Sequence, residues 1–318
     1  MRFSETLQAH EANRIRRDSS SRRLHEARSL AGRNSYFTDP GLTVFVAGSM
    51  GRAEMGGRSE FDPFIVSVKT FTESEQTQLI RALDDLVAEL KYPPLSNRDY
   101  AKVYDLGSLL RNTGSPKDDN ENCFATRMLL LLESVAITNS TTYEQVRDQF
   151  LGQYFRDVRG KASYRPLFLL NDILRYWRTF CLNYEAPRHD RERPWWKKNV
   201  NLQFSRMLTV FATVAVLTVE EVRSKGDFLP VCELTPIQRL ARALDSLADE
   251  GLAAGFESFL NDYEAFLCWK ERDDIGTMAG DDGFKSSVGT IADRSSDFLY
   301  DVLMHSKIPH VRRKFLVI

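Results

Sequence analysis

The run from Leu42 to Ala47 is apolar and rich in β-branched residues, and it stops abruptly at Gly48-Ser49. A segment of this kind reads as a buried strand ending in a tight turn, and the small residues of the turn let backbone N–H groups approach an anion such as a phosphate. Gly56 and Gly57 mark a second turn, beyond which Ser59 to Val68 is again strand-like and carries Glu60 and Asp62. Residues i and i+2 of a strand point to the same face. The pattern therefore predicts two neighbouring strands, with an anion-binding turn at the end of one and a carboxylate pair on the other.

Two carboxylates side by side repel, and a cation relieves that repulsion. Mg²⁺, or Mn²⁺ in its place, is the expected ion, because a hard cation prefers carboxylate and phosphate oxygens. Two such ions roughly 3.5–4 Å apart can activate an attacking hydroxyl and stabilise a leaving pyrophosphate. Gly48, Ser49 and Arg52 are the residues expected to hold the phosphates.

The pattern Gly48-Ser49-x-Gly51-Arg52-x-Glu54, followed by Ser59-Glu60-x-Asp62, resembles the polymerase-β-type nucleotidyltransferase superfamily. Within it, the pattern is most similar to the branch containing the signal-protein uridylyltransferases and glutamine-synthetase adenylyltransferases. Asn122 to Ser134 and Leu170 to Arg178 also resemble bacterial members of that group. The resemblance implies transfer of a nucleoside monophosphate from an NTP, with Glu60 and Asp62 as metal ligands and a third carboxylate on a later strand. Asp105, in the strand-like stretch Ala101 to Leu106, is the candidate for that position, with Asp99, Asp118 and Asp119 as competitors. The chain departs from the family in two places: Glu60 stands where Asp is usual, and Pro63 follows the second carboxylate.

With 318 residues, of which 42% are hydrophobic, the chain can bury a sizeable core and is long enough for two domains. A formal net charge of −1 argues against a globally basic nucleic-acid binder. Cys123, Cys181, Cys232 and Cys268 are far apart and form no Cys-x-x-Cys pair, so neither a zinc knuckle nor a redox motif is expected. The apolar run Met207 to Val219 is short for a membrane span and reads as a buried helix. The N-terminus has neither a signal-peptide core nor the acid-poor composition of a transit peptide, so a cytoplasmic protein without a membrane partner is expected.

The expected fold class is α+β, a small mixed-sheet nucleotidyltransferase domain followed by an all-α helical bundle. Residues 1–34 read as a charged helix packed on the catalytic domain, with an RNA-contacting arm as the other reading. Residues 35–122 then form the catalytic domain and 123–318 the helical one. Thr72-Glu-Ser-Glu75 has the form of a capping box opening a helix to Leu90. Asn112 to Asn122 reads as a loop, and helices are expected at 124–138, 142–157, 165–184, 197–224, 235–249, 252–271 and 285–305.

In the helical part, Asn171, Arg175 and Arg178 fall at i, i+4 and i+7, as do Asn199, Gln203 and Arg206. Arg175, Arg178 and Arg206 are therefore candidate phosphate ligands, with internal pairing to acids such as Asp172 as the alternative. Trp177, Trp195 and Trp196 read as core anchors. His189-Asp190 sits in a charged loop, which argues against a second, hydrolase domain. The expected activity is Mg²⁺-dependent NMP transfer to a hydroxyl of a macromolecule, protein (AMPylation or UMPylation) before tRNA or other RNA. The alternative is a catalytically weakened nucleotide-binding regulator acting through its helical domain.

Overall fold

The computed structural model describes residues 2–95, 100–158, 164–185, 199–272, 274, 278 and 281–316. It is mostly helical with one small mixed sheet, an α+β architecture. The chain divides into two compact units, Arg16–Gly160 and Met1–Ile15 with Lys161–Ile318.

In the first unit, β1 (Leu42–Ala47) pairs antiparallel with β2 (Asp62–Ser67) over six residue pairs, from Leu42 opposite Ser67 to Ala47 opposite Asp62. β3 (Val103–Asp105) adds parallel to β2, and the short β4 (Val135–Ala136) adds antiparallel to β1, giving the order β3-β2-β1-β4. All six residues of β1 are buried, which explains why its sequence does not alternate: a central strand covered on both faces is apolar throughout. On one face, Val44, Val46 and Ile65 pack in a core with Ala27 and Ala31 of α2 (Glu11–Ala31) and Leu79, Leu83 and Leu86 of α3 (Glu73–Glu89). On the other, Phe45 stacks on Phe64 at 5.2 Å between centroids, and Tyr143 of α7 (Ser140–Tyr154) lies 6.1 Å from Phe45.

Thr72 and Glu75 form the reciprocal capping box expected at the start of α3. Before α7, Asn139 adopts a left-handed backbone (φ 46°) and donates its carboxamide N–H groups to the carbonyls of Asp39 and Leu42. This fastens the entry of β1 to the loop after β4.

Several expected boundaries move. The N-terminal segment is two helices, α1 (Phe3–Ala9) and α2, with His10 extended between them. The expected loop 112–122 contains a short helix, α5 (Pro116–Asn120), with proline at its first position. The helix expected over 124–138 is α6 (Cys123–Leu132) and stops at Glu133, where the chain turns extended to become β4. β4 completes the sheet, and the compact unit that contains the sheet runs to Gly160.

The second unit is helical. Its core helix Met207–Val219 has nearly every residue buried, and its threonines return their hydroxyls to backbone carbonyls four residues back. Among the described residues, Asn199–Val219 is the one helix long and apolar enough to cross a membrane, and 72% of its most apolar window is buried within the protein. α1 belongs to this unit: Phe3 and Leu7 are buried, and the Asp245 carboxylate accepts from the backbone N–H groups of Phe3 (2.5 Å) and Ser4 (3.2 Å). Lys307 donates to the carbonyls of Leu247 and Ala248, and Arg312 to that of Val219, placing cations at two helix C-termini.

Candidate active site

β1 ends where the site begins. Gly48 has φ 71°, a left-handed conformation open to glycine, and a Cβ built there would stand 2.9 Å from Oδ2 of Asp62. The register of Ala47 opposite Asp62 makes this contact unavoidable, because the turn leaves β1 beside the first residue of β2. The turn then coils on itself. Gly48 O accepts from Arg52 N at 3.0 Å, Ser49 O accepts from Glu54 N at 2.8 Å, and Ala53 has φ 57°. Ser49 Oγ donates to Met55 Sδ at 3.2 Å. α2 holds the loop that follows: Ser20 Oγ accepts from Met55 N at 2.9 Å, and Arg23 donates to Gly56 O at 2.6 Å. These two contacts give the charged N-terminal segment a structural role, and no periodicity in α2 announces them.

β2 is shorter than the expected strand and leaves Glu60 outside it, because β1 offers no partner beyond Ala47. Glu60 and Asp62 are nevertheless both exposed, while Phe61 (2% exposed, stacked on Tyr92) and Pro63 between and after them are buried. The alternation places the two carboxylates on one solvent side. Pro63 is tolerated because β3 joins β2 only from Ile65 onward. Among the described residues, no group of three or more His, Cys, Asp or Glu side chains is placed to hold a metal ion. The Glu60–Asp62 pair suits Mg²⁺ as a donor set, since that ion is commonly held by one or two carboxylates with substrate phosphates and water completing its shell.

Other expected ligands are engaged elsewhere. Arg52 is 5% exposed; its Nε donates to Glu54 Oε2 at 2.8 Å and its Nη1 to Glu133 Oε2, with both glutamates buried. A guanidinium clamped between two buried carboxylates acts as a structural tie, so the structure engages Arg52 here rather than leaving it to the expected phosphates. Asp105 pairs with Ser67, five residues along β2 from Asp62, a separation of about 16 Å at ~3.3 Å per residue. Its Oδ1 accepts from Ser108 N at 2.7 Å, capping the helix α4 (Leu106–Arg111). The structure therefore does not join Asp105 to the carboxylate pair.

Asp118 is fully buried and makes two 2.9 Å bonds to Arg127, which also donates to Tyr154. Burial is the largest single influence and opposes the Arg127 charge, but Asp118 and Tyr154 together outweigh it and hold the arginine pKa above its ordinary value. Breaking such a pair costs about 3–5 kcal/mol, so Asp118 is a structural residue. Asp119 is exposed on α5, and Asp99 lies outside the described residues.

In the helical unit, α8 (Leu167–Glu185) exposes Asn171 and Arg178, while Arg175 Nη1 is 3.7 Å from the buried Asp172 carboxylate, the internal pairing weighed against phosphate binding. Arg206 ends a π-helical stretch, Leu202–Arg206, and its guanidinium lies 4.7 Å from the Phe180 ring centroid. Trp177 packs edge-on against Phe211 at 5.3 Å. His189, Asp190, Trp195 and Trp196 lie outside the described residues.

The chain matches no protein-family model and no curated protein sequence.

Proposed function

We propose that this chain is a Mg²⁺-dependent nucleotidyltransferase moving an NMP from an NTP to a hydroxyl of a macromolecular acceptor. The observation that carries the reading is the apposition of the Gly48 turn and the Asp62 carboxylate: a left-handed glycine at the end of β1 abuts the acid that opens β2. An anion-binding turn and a cation-binding carboxylate thus share one corner of the sheet.

In the proposed reaction, the acceptor oxygen attacks the α-phosphorus, the bond from that phosphorus to the bridging oxygen breaks, and pyrophosphate leaves. Glu60 and Asp62 hold the metal, which when bound supplies charge neutralisation of the phosphates and a lowered hydroxyl pKa. The Gly48-Ser49 turn presents backbone N–H groups to the phosphate tail. A carboxylate of the pair is at hand to take the acceptor proton. The family resemblance favours a protein acceptor, with RNA next. The test is incubation with each α-labelled NTP, Mg²⁺ or Mn²⁺, and cell extract. Label that requires Asp62 and is sensitive to protease or nuclease supports the reading and names the acceptor class. Full activity in Asp62→Ala overturns it.

A second reading, a nucleotide-binding regulator with weakened catalysis, is favoured by two observations. No third carboxylate joins the pair among the described residues, and Arg52 is committed to Glu54 and Glu133. NTP binding without pyrophosphate release, together with gain of turnover in Glu60→Asp, is the result that selects it.

A further inference from the structure

The segment joining α6 to β4 reaches the phosphate turn in two independent ways. Glu133 sends its carboxylate to Arg52, in a cluster where Glu133 has 0%, Arg52 4% and Glu54 6% of the side chain exposed. Its main chain meets Gly51 so closely that a Cβ on that glycine would fall 1.9 Å from the Glu133 carbonyl oxygen and 2.8 Å from Ser134 Cα. The β1–β4 register, with Val46 opposite Val135, brings this segment alongside the end of β1. The end of β1 is therefore flanked by Asp62 on its β2 side and by Glu133-Ser134 on its β4 side, and the Gly48–Glu54 turn is built between them.

We propose that Glu133 is a positioning residue for the triphosphate-binding turn, acting through Arg52; this rests on the nucleotidyltransferase reading above. A turn that offers backbone N–H groups to phosphates works only if those groups are held in place before the ligand arrives, since ordering them on binding would subtract from affinity. The Arg52 fork ties two residues of the turn to a carboxylate whose own main chain is wedged under Gly51. In this cluster the Arg52 guanidinium is already engaged by the Glu54 and Glu133 carboxylates. Its contribution is geometric, and the recognised ligand is the phosphate tail rather than the base.

The experiment measures affinity for a non-hydrolysable NTP analogue with Mg²⁺, and the nucleotide-free melting transition, in the wild type, Glu133→Gln and Arg52→Lys. Glutamine keeps the size and an acceptor oxygen but loses the negative charge that pairs with Arg52; lysine keeps the charge but loses the fork. The expected result is a cooperative melt in both variants and analogue affinity reduced about tenfold or more, with the loss falling on KM more than on kcat. Unchanged affinity in folded variants, with only the melting temperature lowered, overturns the proposal and leaves the function standing. A wild-type protein that binds no NTP analogue overturns the function itself. Should Glu133→Gln not fold, Arg52→Lys and Glu54→Gln carry the same comparison.

Discussion

Oδ2 of Asp62 lies 2.9 Å from where a Cβ of Gly48 would be. One atom added at Gly48 therefore strikes the carboxylate and also forces a left-handed backbone on an L side chain. Gly48→Ala is expected to cost about 1–2 kcal/mol of stability from the backbone alone, and to abolish the NTP-dependent rise in melting temperature. Thermal melts with and without NTP and Mg²⁺ check both parts.

Gly51 and Gly57 separate two roles of glycine within one loop. A Cβ at Gly51 would overlap the backbone of Glu133, which has no side-chain freedom with which to yield, whereas nothing lies within 4 Å of one at Gly57. Gly51→Ala is expected to lose at least about 3 kcal/mol, in the range of the more severe overpacking substitutions. Gly57→Ala should stay within about 0.5 kcal/mol of the wild type. Urea denaturation of the two variants provides the comparison.

Asp105 should be dispensable for transfer. Asn and Ser are good helix N-caps, so Asp105→Asn and Asp105→Ser preserve the start of α4. Both are expected to keep the NMP-transfer rate of the wild type within about twofold, beside an inactive Asp62→Ala, on the scale where tenfold is 1.4 kcal/mol. Loss of transfer in both Asp105 variants, with the fold retained, would return Asp105 to the site.

Acid should weaken the fold through carboxylates whose pKa is depressed. Asp39 lies below its ordinary value of 3.8 through hydrogen bonds from Lys69 and the Gly41 N–H. Asp227 does so through the backbone N–H of Arg223 and bonds from Ser224. A depressed folded pKa gives stability that is fully present above the unfolded value and is lost as pH falls through the folded one. Denaturant midpoints should therefore fall below pH about 4, and less steeply in an Asp39→Asn/Asp227→Asn double variant. Equal slopes in the two proteins would refute the assignment.

β1 was legible to the residue because a central strand buried on both faces leaves an uninterrupted apolar run, and its end was legible because glycine marks the turn. The start of α3 was legible from Thr72 and Glu75, since a capping box is a local pattern. The fate of Arg52 was not. Its partner Glu133 is 81 residues away, and nothing local distinguishes an arginine that meets a buried glutamate from one that meets a phosphate. β4 has two residues, too few for any periodicity, so the apolar pattern of α6 continues through it in the sequence. Asp105 sits on the strand the sequence suggested, but the parallel register of β3 on β2 decides which end of the sheet it occupies, and that register is a tertiary outcome. The helix α5 did leave a signal in Ser115-Pro116, a residue able to stand at an N-cap followed by a proline at the first position.

The docking of α1 has a consequence for how the protein is made. Phe3 and Ser4 leave the ribosome well before the carboxylate that caps them, which belongs to Asp245, 242 and 241 residues later. At roughly 5–20 residues per second, α1 waits on the order of ten seconds to a minute for its partner. The sheet-bearing unit, Arg16–Gly160, is fully synthesised during that interval. The helical unit thus closes around a segment made before the sheet-bearing unit, and α1 docks only after that unit has been synthesised.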